Sequence, residues 1–176
     1  MSYGLDEFCT DLRQILKAKQ LGGLPEIAEK LKALVVNPSF VAETFDGASA
    51  PQRILYHDPE TDAYVLAHIQ SAGKSGRPHS HGASWAIYAN ARGVTEMTEW
   101  RRVNPESEDA AVLEASDRYS LGPGQSRAYP PHVIHSTAHP DGAWVIRVTG
   151  TNLDNVPRYH FRPKKDKIFE AAGSRA

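Results

Sequence analysis

The 176-residue chain has one cysteine, Cys9, and no excess of charge of either sign. A single cysteine excludes an intrachain disulfide and fits the reducing cytoplasm, where we expect the protein to be. Lysine and arginine number 20, against 21 aspartate and glutamate residues. A nucleic-acid-binding protein needs a clustered basic surface, and the one basic run, at 162–167, is short and is interpreted as a solvated segment. We therefore expect no nucleic-acid partner.

Long hydrophobic runs are also missing from the sequence. None approaches the ~18 apolar residues that a membrane helix needs, so we expect no membrane partner. Residues 1–14 are acidic and amphipathic, unlike a signal peptide. Apolar residues make up 40% of the chain, which is enough for one core. The composition predicts a soluble protein with a single domain over residues 1–176.

The N-terminal part has the apolar spacing of helices. Apolar side chains recur at helical intervals from Leu5 to Leu16 and again from Ile27 to Val35. "LGGLP" separates the two stretches, and "NPS" at 37–39 is predicted to end the second. Cys9 lies on the first apolar stripe and is interpreted as a core residue. The pattern predicts two helices that form an N-terminal cap over residues 1–40.

From residue 50 the pattern changes to short β-prone runs, such as "AYVLAHIQ", "SWAIYAN", "AVLEA", "RYSLG" and "AWVIRVTG". Turn signals, among them Gly-Pro-Gly and Pro-Asp-Gly, separate them. Many short strands at close spacing are typical of a sandwich or barrel. A mainly β fold is therefore predicted, with the barrel over residues 50–150. Residues 151–176 are weakly patterned and are predicted to form a C-terminal tail on the surface.

Two of the eight histidines, His79 and His81, are two positions apart in "RPHSHGASW". Alternate residues of a strand point to the same face, and neutral imidazole is the commonest metal ligand. The pair predicts a metal site, although such pairs also occur by chance on exposed strands and loops. A third ligand on a neighbouring strand is needed to strengthen the hypothesis.

"PPHVIHSTAHP" supplies three candidates for the third ligand. His135 is favoured because it lies inside an apolar run, where an inward histidine needs a partner. His132 follows two prolines, in a turn or at a strand edge. His132 and His139 are each interpreted as a polar surface residue or as a residue that contacts a metal ligand without binding the metal. The remaining histidines are not assigned as ligands: His57, His160, and His68, which is interpreted as a core or cavity-lining residue.

The stretches "PHSHGASWAIYANARG" and "GPG…YPPHVIHSTAHP" resemble the two motifs of the cupins, and more closely those of the cysteine dioxygenase-like thiol dioxygenases. The resemblance covers residues 5–150. It implies a cupin double-stranded β-helix, or jelly-roll barrel, preceded by helices. It also implies that His79, His81 and His135 bind Fe(II), as an H-x-H pair and one later histidine do in that family.

Ordinary cupins carry a glutamate four or five positions after the second histidine, where this chain has Trp85 and Ala86. Three neutral ligands leave the metal its full charge, which favours an anionic substrate bound directly to the metal and leaves positions for O₂. Three histidines also form catalytic zinc sites. The resemblance indicates Fe(II), with Zn(II), Ni(II) and Mn(II) as alternatives. Glu96 and Glu99, which follow the Gly93 turn, are predicted to lie outside the ligand set.

The chain departs from the thiol dioxygenases in three places. Cys9 lies on a predicted helix and cannot form the cysteine–tyrosine crosslink that some members carry near the metal. The usual Ser-x-His-x-Tyr run aligns with Val145, Arg147 and Thr149, so its hydrogen-bond relay is missing and thiol oxidation is put in doubt. The asparagine that usually follows the third histidine falls at His139.

Three further residues are candidates for the active site. Arg53 matches the family's carboxylate-binding arginine approximately, with a surface arginine as the alternative interpretation. Arg147 is predicted to point into the barrel, where a buried arginine needs an anion, so it is a second candidate. Tyr88, like Trp85, could line the pocket or belong to the core.

The leading interpretation is a mononuclear non-haem Fe(II) dioxygenase of the cysteine dioxygenase-like type. It would act with O₂ on a small anionic substrate, for which a thiol is the specific candidate. The alternatives are other chemistry at the same metal, such as C–C cleavage of a diketone or a lyase or isomerase reaction, and a cupin that binds a small ligand without catalysis. The fold cannot decide among these. A homodimer is left open.

Overall fold

A computed structural model describes residues 3–108, 110–165 and 167–174. In that part of the chain three helices precede eleven strands. The helices are α1 (Leu5–Lys19), α2 (Leu24–Val35) and α3 (Pro38–Phe45). The strands are β1 (Gln52–His57), β2 (Tyr64–Gln70), β3 (Lys74–Ser75), β4 (Ala86–Gly93), β5 (Thr95–Arg102), β6 (Ala110–Leu121), β7 (Ser126–Tyr129), β8 (Ile134–His139), β9 (Ala143–Thr149), β10 (Arg158–Lys165) and β11 (Ile168–Ser174).

The two predicted helices are present and are joined by a single 3₁₀ turn, Gln20–Gly23. α2 ends at Val35, just before "NPS", as predicted, but a third helix, α3, which the sequence did not indicate, starts within that motif. The Asn37 side chain accepts a hydrogen bond from the Ser39 N–H at 3.0 Å and so caps α3. Pro38 lies in the first turn, where its missing N–H costs nothing. Cys9 is buried among the helices, as predicted, and burial raises the pKa of its thiol to about 12.

The strands form two antiparallel sheets, ordered β1-β2-β9-β4-β7 and β10-β11-β6-β5-β8-β3. The helices cover the outer face of the first sheet, where Val65 and Ala67 join their apolar core. Because side chains alternate along a strand, Leu66 and His68 face the second sheet instead. The two facing sheets form a double-stranded β-helix, which confirms the predicted mainly β fold with N-terminal helices.

Two expectations about the strands were wrong. "AVLEA" and "RYSLG" belong to one strand, β6, which pairs with β5 from Leu113 to Leu121. A register shift opposite Glu99 and Trp100 absorbs the irregular spacing between the two runs. Most of the expected tail forms a hairpin of β10 and β11, and β11 extends the second sheet by pairing with β6. Polar, proline-containing strands at a sheet edge have weak patterns, which explains why the sequence did not indicate them.

Among the described helices, none has the length and apolar composition of a transmembrane span.

Candidate metal centre and cavity

Three histidines meet between the two sheets. His79, His81 and His135 each offer a ring nitrogen, and these atoms all lie within 4.8 Å of one another. The ring centroid of His135 is 4.6 Å from that of His79 and 4.8 Å from that of His81. His81 and His135 are buried, and His79 is partly exposed. The structure therefore brings together the three residues that the resemblance implied.

The expected strand under His79 and His81 is absent, because both residues lie in the segment between β3 and β4. An isolated β-bridge positions His79 instead: His79 and His135 exchange two backbone hydrogen bonds of 2.9 Å each. A second bridge joins His79 to His160 of the C-terminal hairpin. The pair is thus held from β8 on one side and from β10 on the other.

The turn after His81 requires glycine. Gly82 has φ +56, and a Cβ at this position would lie 2.3 Å from the Pro157 carbonyl oxygen. The Gly82 carbonyl accepts a hydrogen bond of 2.8 Å from the His132 N–H. The glycine of the "HSHG" motif therefore lets the chain turn tightly between the segment that precedes β10 and the start of β8.

The donor set fits a metal ion. Burial, together with the neighbouring His79, lowers the pKa of His135 to about 3, so its ring is neutral at physiological pH. Both ring nitrogens of His135 are buried and make no well-formed hydrogen bond to the described residues. The Nδ1–H of His79 donates to the Arg77 carbonyl at 3.0 Å in the tautomer that offers Nε2 as ligand atom. Three neutral nitrogens in this arrangement are what a divalent transition metal binds.

Aromatic rings surround the triad. The Tyr88 hydroxyl lies 3.3 Å from Nε2 of His81. The Tyr129 ring stacks on His135 with centroids 4.9 Å apart. The hydroxyls of Tyr129 and Tyr119 form a hydrogen bond with each other. The Tyr119 hydroxyl donates a hydrogen bond of 2.8 Å to Glu99 Oε1. Tyr88 therefore borders the three-histidine group, and Tyr129 and Tyr119 connect His135 to a carboxylate farther out.

Neither glutamate of β5 belongs to the three-histidine group. Glu96 is exposed. Glu99 is the register neighbour of His135, but its carboxylate is bound by Tyr119 and, at 3.2 Å, by Arg127. This placement agrees with a ligand set of three histidines.

A cavity of about 160 Å³ opens beside His79 between the sheets. Two cations, Lys74 and Arg147, line it, and no carboxylate does among the described residues. The lining consists of His68, Gln70, Lys74, Gly76, His79, Tyr88, Thr95, Thr137, His139, Val145 and Arg147. The cavity therefore has a positively charged lining next to the three histidines.

The two candidate arginines lie on opposite faces of the first sheet. Arg147 is opposite Tyr88 across the β4–β9 pair, and its buried Nε has no partner in the described structure. It also borders a second cavity that contains Asp154. Arg53 is the register partner of Ala67 and faces the helices, where it donates to the Thr44 carbonyl. The suggestion that Arg53 binds substrate was wrong, because the sheet separates it from the triad.

The other aromatic candidate and the remaining histidines are also placed. Trp85 belongs to the core under the helices. His132 lies in an exposed turn with φ +68. His57 is on the surface, 3.0 Å from Asp62.

Two histidines lie closer to the centre than the sequence indicated. His139 is buried, lines the cavity and contacts Thr95 at 3.2 Å. His160 stacks near His79 with ring centroids 5.9 Å apart. The placement of His139 could have been predicted, because it is four positions after His135 and alternate residues of a strand share a face. Nothing in the local pattern around His160 indicated the second.

No family model and no curated protein matches the chain. Among solved structures it is similar to KdgF from Halomonas sp. (20% identity, TM-score 0.44, covering 56% of this chain and 74% of that one). It is also similar to an RmlC-like cupin from Shewanella frigidimarina (17% identity, TM-score 0.45, covering 58% of this chain and 78% of that one). A third similar structure is a protein with a double-stranded β-helix domain from Klebsiella pneumoniae (13% identity, TM-score 0.45, covering 68% of this chain and 87% of that one). These overlaps concern the fold alone.

Proposed function

We propose that the protein is a mononuclear non-haem Fe(II) dioxygenase that acts on a small anionic substrate. The observation that supports it most is the group of three histidines beside a cavity that Lys74 and Arg147 line and that has no carboxylate among its described lining residues. Bound iron would supply a Lewis acid and a site for O₂ activation. Because the three ligands are neutral, they do not offset the charge that attracts an anion.

The residues of the chain have separate roles in this proposal. Arg147 binds the anionic group of the substrate and orients it, since a guanidinium pairs with carboxylates through directed hydrogen bonds. Tyr88 holds a proton on its hydroxyl beside His81 and can donate a hydrogen bond to substrate.

A thiol is a weaker candidate for the substrate than a non-thiol acid. Val145 and Arg147 line the cavity where the thiol dioxygenases have the Ser and His of their relay. Valine cannot relay a proton, and arginine stays charged. The substrate we infer is therefore an acid that needs no proton relay from this strand.

The test is metal analysis combined with oxygen uptake. The metal-free protein is reconstituted anaerobically with Fe(II), Zn(II), Mn(II) or Ni(II), and oxygen uptake is followed with thiols, hydroxy acids and diketones. We expect one metal ion per chain, and substrate-dependent oxygen uptake with Fe(II) only. His135→Ala should lose the metal, whereas His57→Ala, a histidine on the surface, should keep it.

Other outcomes identify the alternatives. Turnover of an acid with Zn(II) and without oxygen uptake would replace the dioxygenase proposal with a lyase or isomerase. Ligand binding without turnover under any metal would indicate a non-catalytic binding protein.

A further inference from the structure

The far side of the cavity contains polar groups that the proposed function does not use. His68 and Gln70 are alternate residues of β2 and face into the barrel with Leu66. His68 is 7% exposed. His68 Nε2 and Gln70 Oε1 are buried and lack a hydrogen-bond partner among the described residues, as does Arg147 Nε.

Buried polar atoms without partners are costly. Each typically lowers the equilibrium constant for folding roughly fivefold or more relative to a satisfied group, and native interiors contain few of them. Here three of them line one cavity. This concentration favours a ligand that satisfies them together.

The order of the three groups follows from the register of β2 and β9. Arg147 is opposite Leu66, His68 is opposite Val145, and Gln70 is opposite Ala143. His68 therefore lies between the cationic donor at the end near the triad and the amide acceptor at the other end. The cavity therefore presents Arg147 at the triad end and hydrogen-bonding groups farther along β2, and Lys74 adds a second cation to the lining.

The chemistry of these groups restricts the ligand. Burial lowers the pKa of His68 to about 3, so its imidazole is neutral at physiological pH. A hydroxyl suits both neutral groups. It can donate a hydrogen bond to Gln70 Oε1, and it can accept one from His68 in the neutral tautomer that carries its proton on Nε2. An ammonium group does not suit them, because it would meet Lys74 and Arg147 with no carboxylate among the described lining residues.

Size gives a second restriction. The cavity measures about 160 Å³, close to the ~150 Å³ cavity that binds a single benzene molecule. It therefore accommodates roughly six to eight non-hydrogen atoms. Short acids of three or four carbons fill this volume.

We propose that His68 and Gln70 form a hydroxyl-binding subsite, which makes the ligand of this cavity a short-chain hydroxycarboxylate. This rests on the proposed function in one respect, the binding of the carboxylate by Arg147. The hydroxyl-binding part rests on His68 and Gln70 alone.

The experiment titrates the metal-free protein calorimetrically with four matched acids: propionate, lactate, 3-hydroxypropionate and alanine. One added neutral hydrogen bond corresponds to about three- to tenfold in affinity. We expect at least one of the two hydroxy acids to bind about three- to tenfold more tightly than propionate, and alanine to bind more weakly than propionate. Gln70→Leu and His68→Leu should each remove most of the preference for the hydroxyl.

Gln52→Leu is the matched control, since Gln52 is the register partner of His68 on β1 but does not line this cavity. It should leave the preference unchanged. A second readout is the melting temperature without ligand. Replacing an unsatisfied buried polar group by an apolar one of similar size should not lower it.

Two results would overturn the inference. In one, wild type binds propionate as tightly as both hydroxy acids. In the other, Gln70→Leu and His68→Leu lower the melting temperature and keep the preference, which would show a structural role. If propionate binds in an Arg147-dependent way and the hydroxyl adds nothing, only the subsite fails. If none of the acids binds, the anionic-substrate part of the proposed function fails as well.

Discussion

Arg147→Met tests the central electrostatic feature of the cavity. Methionine keeps much of the volume of the arginine stem and removes the charge and its donors. The buried Nε has no partner among the described residues, so the ligand-free protein loses no described hydrogen bond from that atom. We therefore expect that the melting temperature of the ligand-free variant does not fall, and that its metal content is unchanged.

Ligand binding should change strongly. A hydrogen bond between charged groups contributes about 1.5–3 kcal/mol, which corresponds to ~10- to 150-fold in affinity. A ligand at 100 times its Kd stabilises the wild type by ~2.7 kcal/mol, and a 50-fold weaker one by ~0.7 kcal/mol. At ~2–4 °C per kcal/mol, the ligand-induced shift should fall from about 5–11 °C to about 1–3 °C.

The assay is thermal unfolding of wild type and variant with and without lactate or propionate. Arg53→Met is the matched control, because Arg53 lies on the other face of the same sheet and binds the Thr44 carbonyl. It should lose about 1 kcal/mol of stability and keep the ligand-induced shift.

The opposite pattern would refute the reasoning. If Arg147→Met is destabilised and keeps the full ligand-induced shift, Arg147 supports the fold. Asp154, which shares the second cavity with it, would then be the partner to test, and Asp154→Asn should reproduce the loss of stability.

Three further predictions concern the metal and pH. His135→Ala should reduce metal content sharply, because one of three ligands is lost; full occupancy measured by atomic absorption would show that another residue is the third ligand. Glu96→Gln and Glu99→Gln should both retain the metal, and its loss in either would add a carboxylate to the ligand set. For metal-free protein, the folded-state pKa of His68, lowered to about 3, lies below the unfolded value of ~6.5. The unfolded chain therefore binds more protons between these values, and the stability present above pH 6.5 is lost as pH falls toward 3. At pH 4.5 the free energy of unfolding should be about 2–3 kcal/mol lower for this reason. Urea unfolding of His68→Leu should therefore show a shallower decline of this free energy toward acid pH than wild type. An unchanged decline would contradict the lowered pKa of His68.

Much of the site and of the fold could be predicted from the sequence, because local patterns carried the information. The apolar stripes of α1 and α2 and the short β-prone runs each recorded which face is buried. The "HSHG" motif and His135 in its apolar run pointed to one centre, and the structure brings the three histidines together. Arg147 was expected inside the barrel because it alternates with Val145 on one strand.

The remaining features depend on contacts between residues that are far apart in the chain. His79 is positioned by bridges to His135 and His160 and not by a strand of its own, and such bridges leave no periodicity in the sequence. Arg53 and Arg147 look alike as strand arginines, but the register of β1 and β9 on β2 places them on opposite faces of the sheet.

The cavity and the arrangement of its polar groups were decided only by the tertiary structure. His68, Gln70 and Arg147 lie on two strands, and their unpartnered atoms become informative once both sheets close around them. The sequence determined which residues can bind a metal or an anion, since that is a property of each side chain. The packing of one sheet on the other determined which of them meet, because burial and the lack of a partner are properties of the folded neighbourhood.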